Sequence, residues 1–273
     1  ANTRLTLTGG GTVALNGANT FNGGVTVTGG TTLVAGADSR FGATPASPTA
    51  GYLVLDNGTL TPPDNVSLTL TANRGLAVGP GGGTLLSSGS SMTIGGTVSD
   101  VGGGGRLTLT GDASNTGESF SLNGAGTFTG GLTVTEATLV FSSNLFGGAP
   151  TTSQLDSVIL TNATMSYTGS TSVGIPANRG IQIDRPAVSN GLVEFRVTNA
   201  AGVLTVAGPI GNPVGGNDGI EKDGAGTLVL AGANTYAGRT AVTAGTLQLD
   251  FSVATAPASD IAPATSGLTL GSS

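Results

Sequence analysis

Aliphatic and polar residues alternate with period two along the chain, in runs of three to five residues such as Leu5-Thr6-Leu7-Thr8, Val25-Thr26-Val27-Thr28, Leu107-Thr108-Leu109-Thr110 and Leu132-Thr133-Val134-Thr135. Leu53-Val54-Leu55, Leu228-Val229-Leu230, Leu247-Gln248-Leu249 and Leu268-Thr269-Leu270 are shorter versions. Such alternation puts the aliphatic side chains on one face of a strand and Thr on the other. Thr is β-branched and suits an exposed strand face. Gly, Asn or Pro brackets nearly every run and supplies the tight turns. No segment keeps a 3.6-residue period. The stretch 252–266 lacks Gly, but Pro257 and Pro263 oppose a helix there. The pattern predicts an all-β chain of many short strands.

Internal repeats indicate the architecture. Residues 4–27 align without a gap with residues 219–242, and Gly9, Gly11, Thr12, Leu15, Gly17, Ala18, Asn19, Thr20, Gly23 and Val27 recur identically. Phe21 becomes Tyr236. A third copy starts at Arg106, where Arg4–Gly9 recurs as Arg106–Gly111, and Leu122–Phe128 later matches Leu15–Phe21. Downstream, Phe41-Gly42 recurs as Phe146-Gly147 and Asn73-Arg74-Gly75 as Asn178-Arg179-Gly180, both at an offset of 105 residues. The chain therefore reads as one continuous segment, 1–273, made of units 4–105, 106–218 and a partial 219–273. Short strands in a long-period repeat point to a β-solenoid, whose stacked coils bury a column that one hairpin could not. A β-sandwich or a propeller of about 45-residue blades fits that period poorly.

The segments Gly224–Gly238 and Val242–Leu249 resemble the autotransporter-associated β-strand repeat, also called the passenger-associated transport repeat. The resemblance is clear over 219–249 and weaker over 4–34 and 122–140, where Gly126 replaces the Asn of the Ala-Asn-Thr-Tyr core. It implies a right-handed parallel β-helix, exported or displayed on a bacterial surface, often as an adhesin stalk, with no catalytic residues.

Composition narrows the chemistry. The chain has no His, Cys or Trp, so Ser-His-Asp triads, thiol nucleophiles, disulfides and zinc sites built on those ligands are excluded. Nine basic against fifteen acidic residues make nucleic acid an unsuitable partner. No apolar run approaches the roughly twenty residues of a membrane-spanning helix. Leu, Ile, Val and Phe make up about a quarter of the chain, above the floor of about a fifth for folded domains.

The candidate sites each have a plain structural reading. In Asn73-Arg74-Gly75 and Asn178-Arg179-Gly180, Arg reads as a solvated cation, Gly as a positive-φ residue, and Asn as a cap on the turn backbone. A displayed, ligand-binding Arg is the functional alternative. Asp218, Glu221 and Asp223 form the densest acidic run and a weak calcium candidate, for which a solvated turn is the preferred reading. Asn19 and Asn234 share one repeat position; Phe21, Phe128 and Tyr236 share another and read as core-facing rings. The Thr-x-Thr pairs 6/8, 26/28, 69/71, 108/110 and 133/135 raise an ice-binding reading, but their spacings of 20, 43, 39 and 25 predict an interrupted ladder.

The function expected is a structural rod or stalk segment of an extracellular bacterial surface protein or fibre, with no cofactor and no enzymatic activity. A face that binds host or environmental glycans is the first alternative, and a polysaccharide-degrading β-helix the second. Residues 1–8 and 266–273 begin and stop within repeat elements. They predict pairing with further coils of a longer solenoid, or with another copy.

Overall fold

A strand of three or four residues buries too little apolar surface to persist alone, so each run must pair with its counterpart one coil away. The computed structural model describes residues 3–113, 117–186, 191–252, 261–263 and 267–271. It comprises two compact units, Ala1–Leu139 and Val140–Ser273, and each is a parallel β-solenoid. Among the described residues the only helical element is a 3-10 turn at Asp38–Phe41, and no helix is long and apolar enough to cross a membrane. Most of the stretch 252–266 lies outside the described residues, as do residues 1, 2, 272 and 273.

In the first unit, one sheet contains Leu5–Leu7, Val25–Thr28, Thr49–Asp56, Arg74–Val78 and Val98–Asp100. A second contains Thr12–Ala14, Thr32–Val34, Gly58–Thr61, Gly83–Leu86, Leu107–Thr110 and Leu132–Thr135. Leu68–Leu70, Ser91–Ile94 and Ser119–Leu122 line a third. Leu5 pairs with Val25, Val25 with Leu53, Leu53 with Leu76 and Leu76 with Val98, so successive coils take 20, 28, 23 and 22 residues. Loops absorb this variation while the pairing stays in register. Inward columns result, such as Val13, Leu33, Leu60, Leu85, Leu109 and Val134 on the second sheet.

The second unit repeats the plan. Gln154–Thr161, Arg179–Asp184 and Ile210–Gly211 stack on one side. Thr164–Tyr167, Leu192–Val197, Gly219–Asp223, Thr240–Val242 and Leu268–Leu270 form another. Ser172–Ile175, Val203–Val206, Thr227–Leu230 and Thr246–Leu249 complete it. Phe141 meets Phe146 edge-on at 5.8 Å and Tyr167 at 5.3 Å inside this unit. The alternating leucines face inward except in the last described strands, where Leu249, Leu268 and Leu270 are exposed.

Two features depart from the sequence pattern. Thr49–Asp56 and Gln154–Thr161 are eight residues long and bulged, with the register shifting between Thr49 and Leu53 and between Gln154 and Val158. One threonine column is continuous on the second sheet of the first unit, although the Thr-x-Thr ladder itself is interrupted, as expected, at Ala14, Val34 and Leu86. Thr12, Thr32, Thr59, Thr84, Thr108 and Thr133 stand in register on six successive strands. The Thr-x-Thr count missed it because three of these residues lie in runs such as Thr32-Leu33-Val34 and Thr84-Leu85-Leu86. Beside the column stand Ala14, Val34, Thr61, Leu86, Thr110 and Thr135, none of them charged.

The inward positions of Gly58 and Gly83 admit no side chain. A Cβ on Gly83 would sit 2.5 Å from the Leu55 Cβ. Gly83→Ala is expected to destabilise the protein by about 1–3 kcal/mol through overpacking. A lowered thermal denaturation midpoint would show it.

Candidate functional site: buried cations that clamp successive coils

The two Asn-Arg-Gly elements fall opposite the bulges, with Thr49 paired to Arg74 and Gln154 paired to Arg179. Neither arginine is solvated. Both side chains are fully buried, which corrects the reading of them as surface cations. Each guanidinium reaches the loop of the preceding coil. The Arg74 Nε donates to Asp38 Oδ1 at 2.9 Å, Nη1 to the Phe41 and Ala43 carbonyls at 3.0 and 3.5 Å, and Nη2 to the Gly42 carbonyl and Thr44 Oγ1 at 2.7 and 3.2 Å. Five N–H groups thus meet five acceptors, which is what makes burial of a permanent charge tolerable. The Tyr52 ring lies 4.7 Å from the guanidinium carbon, and its hydroxyl donates to the same Phe41 and Ala43 carbonyls.

Arg179 repeats the device with altered partners. Its Nη2 donates to the Gly148 carbonyl at 3.0 Å, its Nη1 to Ser157 Oγ at 3.2 Å, and the Phe146 ring lies 5.7 Å away. Gly148 and Ser157 are the counterparts of Ala43 and Tyr52 at the 105-residue offset, and Ser143 stands at the Asp38 position. Gly75 and Gly180 are absent from the positive-φ glycines. Their role is close approach, because a Cβ would come 2.9 Å from the Thr49 carbonyl oxygen at Gly75 and 2.6 Å from the Leu155 Cα at Gly180. Asn73 and Asn178 do bond to backbone, but on the previous coil's loop, donating to the Pro45 carbonyl at 2.8 Å and the Pro150 carbonyl at 3.2 Å.

Lys222, the only lysine in the sequence, is a third buried cation. At the 215-residue offset it takes the place of Leu7, and it pairs with Val242 as Leu7 pairs with Val27. Its stem continues an apolar column after Met165 and Phe195. Its ammonium donates to the carbonyls of Asp223, Gly224 and Ala244 at 2.9, 2.7 and 3.0 Å, tying one corner to the next coil. Burial lowers its pKa from the usual lysine range, with Asp223 opposing the shift. Arg4 and Arg106, matched in the sequence repeat, each reach the next coil from the rim. Arg4 donates to Thr26 Oγ1 and the Val25 carbonyl, Arg106 to Thr133 Oγ1 and the Leu132 carbonyl.

The acidic run expected to be a solvated turn is mostly a strand, Gly219–Asp223, in which Ile220 and Lys222 face inward. It folds so because it completes the sheet between Leu192–Val197 and Thr240–Val242. Asp218, buried, accepts from the Arg185 and Gly191 N–H groups at 2.8 and 3.0 Å and so closes a loop. Glu221 lies in register beside Glu194. Arg196 bridges Glu194 and Asp223 at 2.7 and 3.2 Å. Burial pushes the Glu194 carboxyl up, only partly offset by Arg196 and Thr164. For Asp223 burial pushes upward too, but the Gly224 N–H, the Thr243 hydroxyl and Arg196 together hold it below the usual range. Among the described residues no group of three or more acidic side chains converges on a metal position.

The shared asparagine position links coils. Asn234 Oδ1 accepts from the Ile210 N–H at 2.7 Å, and its Nδ2 donates to the Ile261 carbonyl at 2.6 Å. Asn19 Nδ2 donates to the Arg40 carbonyl at 2.8 Å. The carboxamide thus acts as a spare peptide group where the strand has given way to a loop. At Gly126, which lacks that side chain, a backbone bridge to Val98 takes over. Phe128 and Tyr236 are buried and Phe21 half-buried; the Tyr236 hydroxyl meets Thr240 Oγ1 at 2.6 Å.

Two strands, an asparagine loop and two further strands recur at 5–34 and 220–249, and the family model for the passenger-associated transport repeat matches there and at 118–141. The three matched stretches together make up less than a third of the chain. In the first and last of them, the second pair of strands stacks on the first pair, so one repeat spans the junction between two coils. Over 93 residues the chain is 41% identical to the adhesin BmaC autotransporter of Brucella suis biovar 1 (strain 1330), a stretch covering 34% of this chain and 2% of that relative. No solved structure matches the chain.

Arg74→Ala should cost about 3–5 kcal/mol, because Asp38 and the loop carbonyls lose their charged partner. Hydrogen exchange should locate the loss at 38–44, and Arg74→Lys should recover only part of it, having three donors for five acceptors. For Lys222 the native pKa lies below the unfolded value, so the native state binds fewer protons and stability gains as pH rises toward 10.5. The stability of the protein minus that of Lys222→Met should therefore increase across that window in denaturant titrations.

Proposed function

We propose that residues 1–273 are one segment of a β-solenoid stalk in an exported, surface-displayed bacterial protein, and that the segment acts mechanically, holding an adhesive region away from the cell. One observation carries this reading: within each unit every coil is tied to the next by in-register parallel pairing, and at three junctions also by a buried cation gripping loop carbonyls. Rigidity follows, because bending a coil away from its neighbour would strand charges in the interior. The three stretches that match the passenger-associated transport repeat and the similarity to an adhesin support the exported, surface location. Durability outside the cell fits the basic residues, of which Arg74, Arg179 and Lys222 are buried and only Arg4 and Arg239 exposed. Further coils of the same protein are the partners proposed for the terminal strands.

The threonine column of the first unit favours a second reading, an ice-binding face. Its neighbouring column is broken by Ala14, Val34 and Leu86, and a flat array needs both.

A stalk should tolerate loss of a whole coil. Deleting residues 76–97 joins Gly75 to Val98, which replaces Leu76 in register, and shortens the rod by about 4.8 Å. The parent protein carrying this deletion should reach the surface and adhere as before in a cell-binding assay. Loss of adhesion with normal display would place a binding site on the deleted coil and end the stalk reading.

A further inference from the structure

Four non-glycine residues among those described have positive φ: Asn57 at 56°, Asn65 at 58°, Glu136 at 53° and Asn162 at 46°. The three asparagines are the first residues of the chain's three Asn-x-Ser/Thr triplets, Asn57-Gly58-Thr59, Asn65-Val66-Ser67 and Asn162-Ala163-Thr164. That triplet is the acceptor motif for N-glycosylation in exported proteins, where it occupies surface turns.

Asn57 and Asn65 lie on one coil, at its two successive corners. Asn57 joins Thr49–Asp56 to Gly58–Thr61, and Asn65 lies between that strand and Leu68–Leu70. Both side chains are exposed. Their backbones are held: the Asn57 N–H donates to the Gly82 carbonyl and its own carbonyl accepts from Gly30, each at 2.6 Å, and the Asn65 N–H donates to the Ser88 carbonyl at 3.0 Å. A left-handed corner alone needs only glycine, which serves at Gly29, Gly82 and Gly245. Nor are the carboxamides used for bonding. Asn19, Asn73, Asn178 and Asn234 spend theirs on links between coils, whereas those of Asn57 and Asn65 make no hydrogen bond among the described residues. Beside Asn57 opens a cleft of about 350 Å³ lined by Gly30, Thr59, Gly81, Arg106 and Thr108, offering hydroxyls and a guanidinium to a polar, uncharged ligand.

We propose that Asn57 and Asn65 are N-glycosylation acceptors for a diphosphate-activated sugar donor. The Asn Nδ2 attacks the anomeric carbon, the bond from that carbon to the diphosphate oxygen breaks, and the Nδ2 proton passes to a base of the transferase. The products are an N-glycosyl amide and the free diphosphate. The first sugar on Asn57 settles in the cleft against the threonine column. This proposal rests on the exported location proposed above but not on the mechanical role.

The test uses the protein taken from the surface of the cells that make it. After denaturation, trypsin cleavage at Arg40 and Arg74 leaves both acceptors on peptide 41–74, whose mass is read by mass spectrometry. Two glycan additions are expected. Thr59→Ala and Ser67→Ala should each remove one while leaving the asparagine, the corner and the melting temperature in place. Single-hexose increments identify a sugar nucleotide as donor, and transfer of a preassembled oligosaccharide identifies a polyprenyl diphosphate. Recovery of peptide 41–74 only at its unmodified mass overturns the proposal, as does a glycan that persists in both alanine variants.

Discussion

Every other feature depends on the parallel hydrogen-bonded register between one coil and the next. A run such as Leu107–Thr110 has no partner within its own coil; its backbone groups are satisfied by the coils on either side. Register also decides burial, because a shift of one residue would turn every leucine outward and every threonine inward. The structure therefore tolerates coils of very different length, between 20 and 28 residues on one sheet of the first unit, but not a slipped strand.

The same constraint explains why three of the nine basic residues go inside. Where long loops interrupt a sheet, backbone carbonyls are left without strand partners. A loop such as 41–44 turns several of them toward the interior, and water cannot reach them. A guanidinium with five donors, or an ammonium with three, satisfies such a cluster in one step. Arg74 does so for the loop after Asp38, and Lys222 does so at the Asp223–Gly224 corner. Asn19 and Asn234 solve the smaller version with a neutral amide. The cost of burying a charge is offset because the alternative is several buried, unpaired carbonyls. Glycine then appears where the clamp forces two backbones together, as at Gly75 and Gly180.

The pairing of Phe-Gly with Asn-Arg-Gly shows how far a sequence can be read. Both elements recur at an offset of 105 residues, and that shared offset was visible. Their partnership was not: 32 residues separate Gly42 from Arg74, and only the coil length brings them together. Arginine in a Gly-rich segment reads as solvated because arginine usually is. Lys222 carried a clearer signal, since it replaces Leu7 at an inward repeat position. The acidic neighbours on either side masked it, making the segment look like a polar turn.

The sequence by itself determined the class of fold and the direction of the alternating aliphatic and threonine side chains. Period two, the bracketing glycines and the long repeat are local or self-similar properties, and they specify short parallel strands stacked as a solenoid. The three stretches that match the transport-repeat model were legible for the same reason. The tertiary structure alone decided which residues meet across coils. Coil lengths vary with the loops, so neither the continuous threonine column nor the buried arginine clamps can be counted out along the chain. They arise only when each strand has found its register on the one before it.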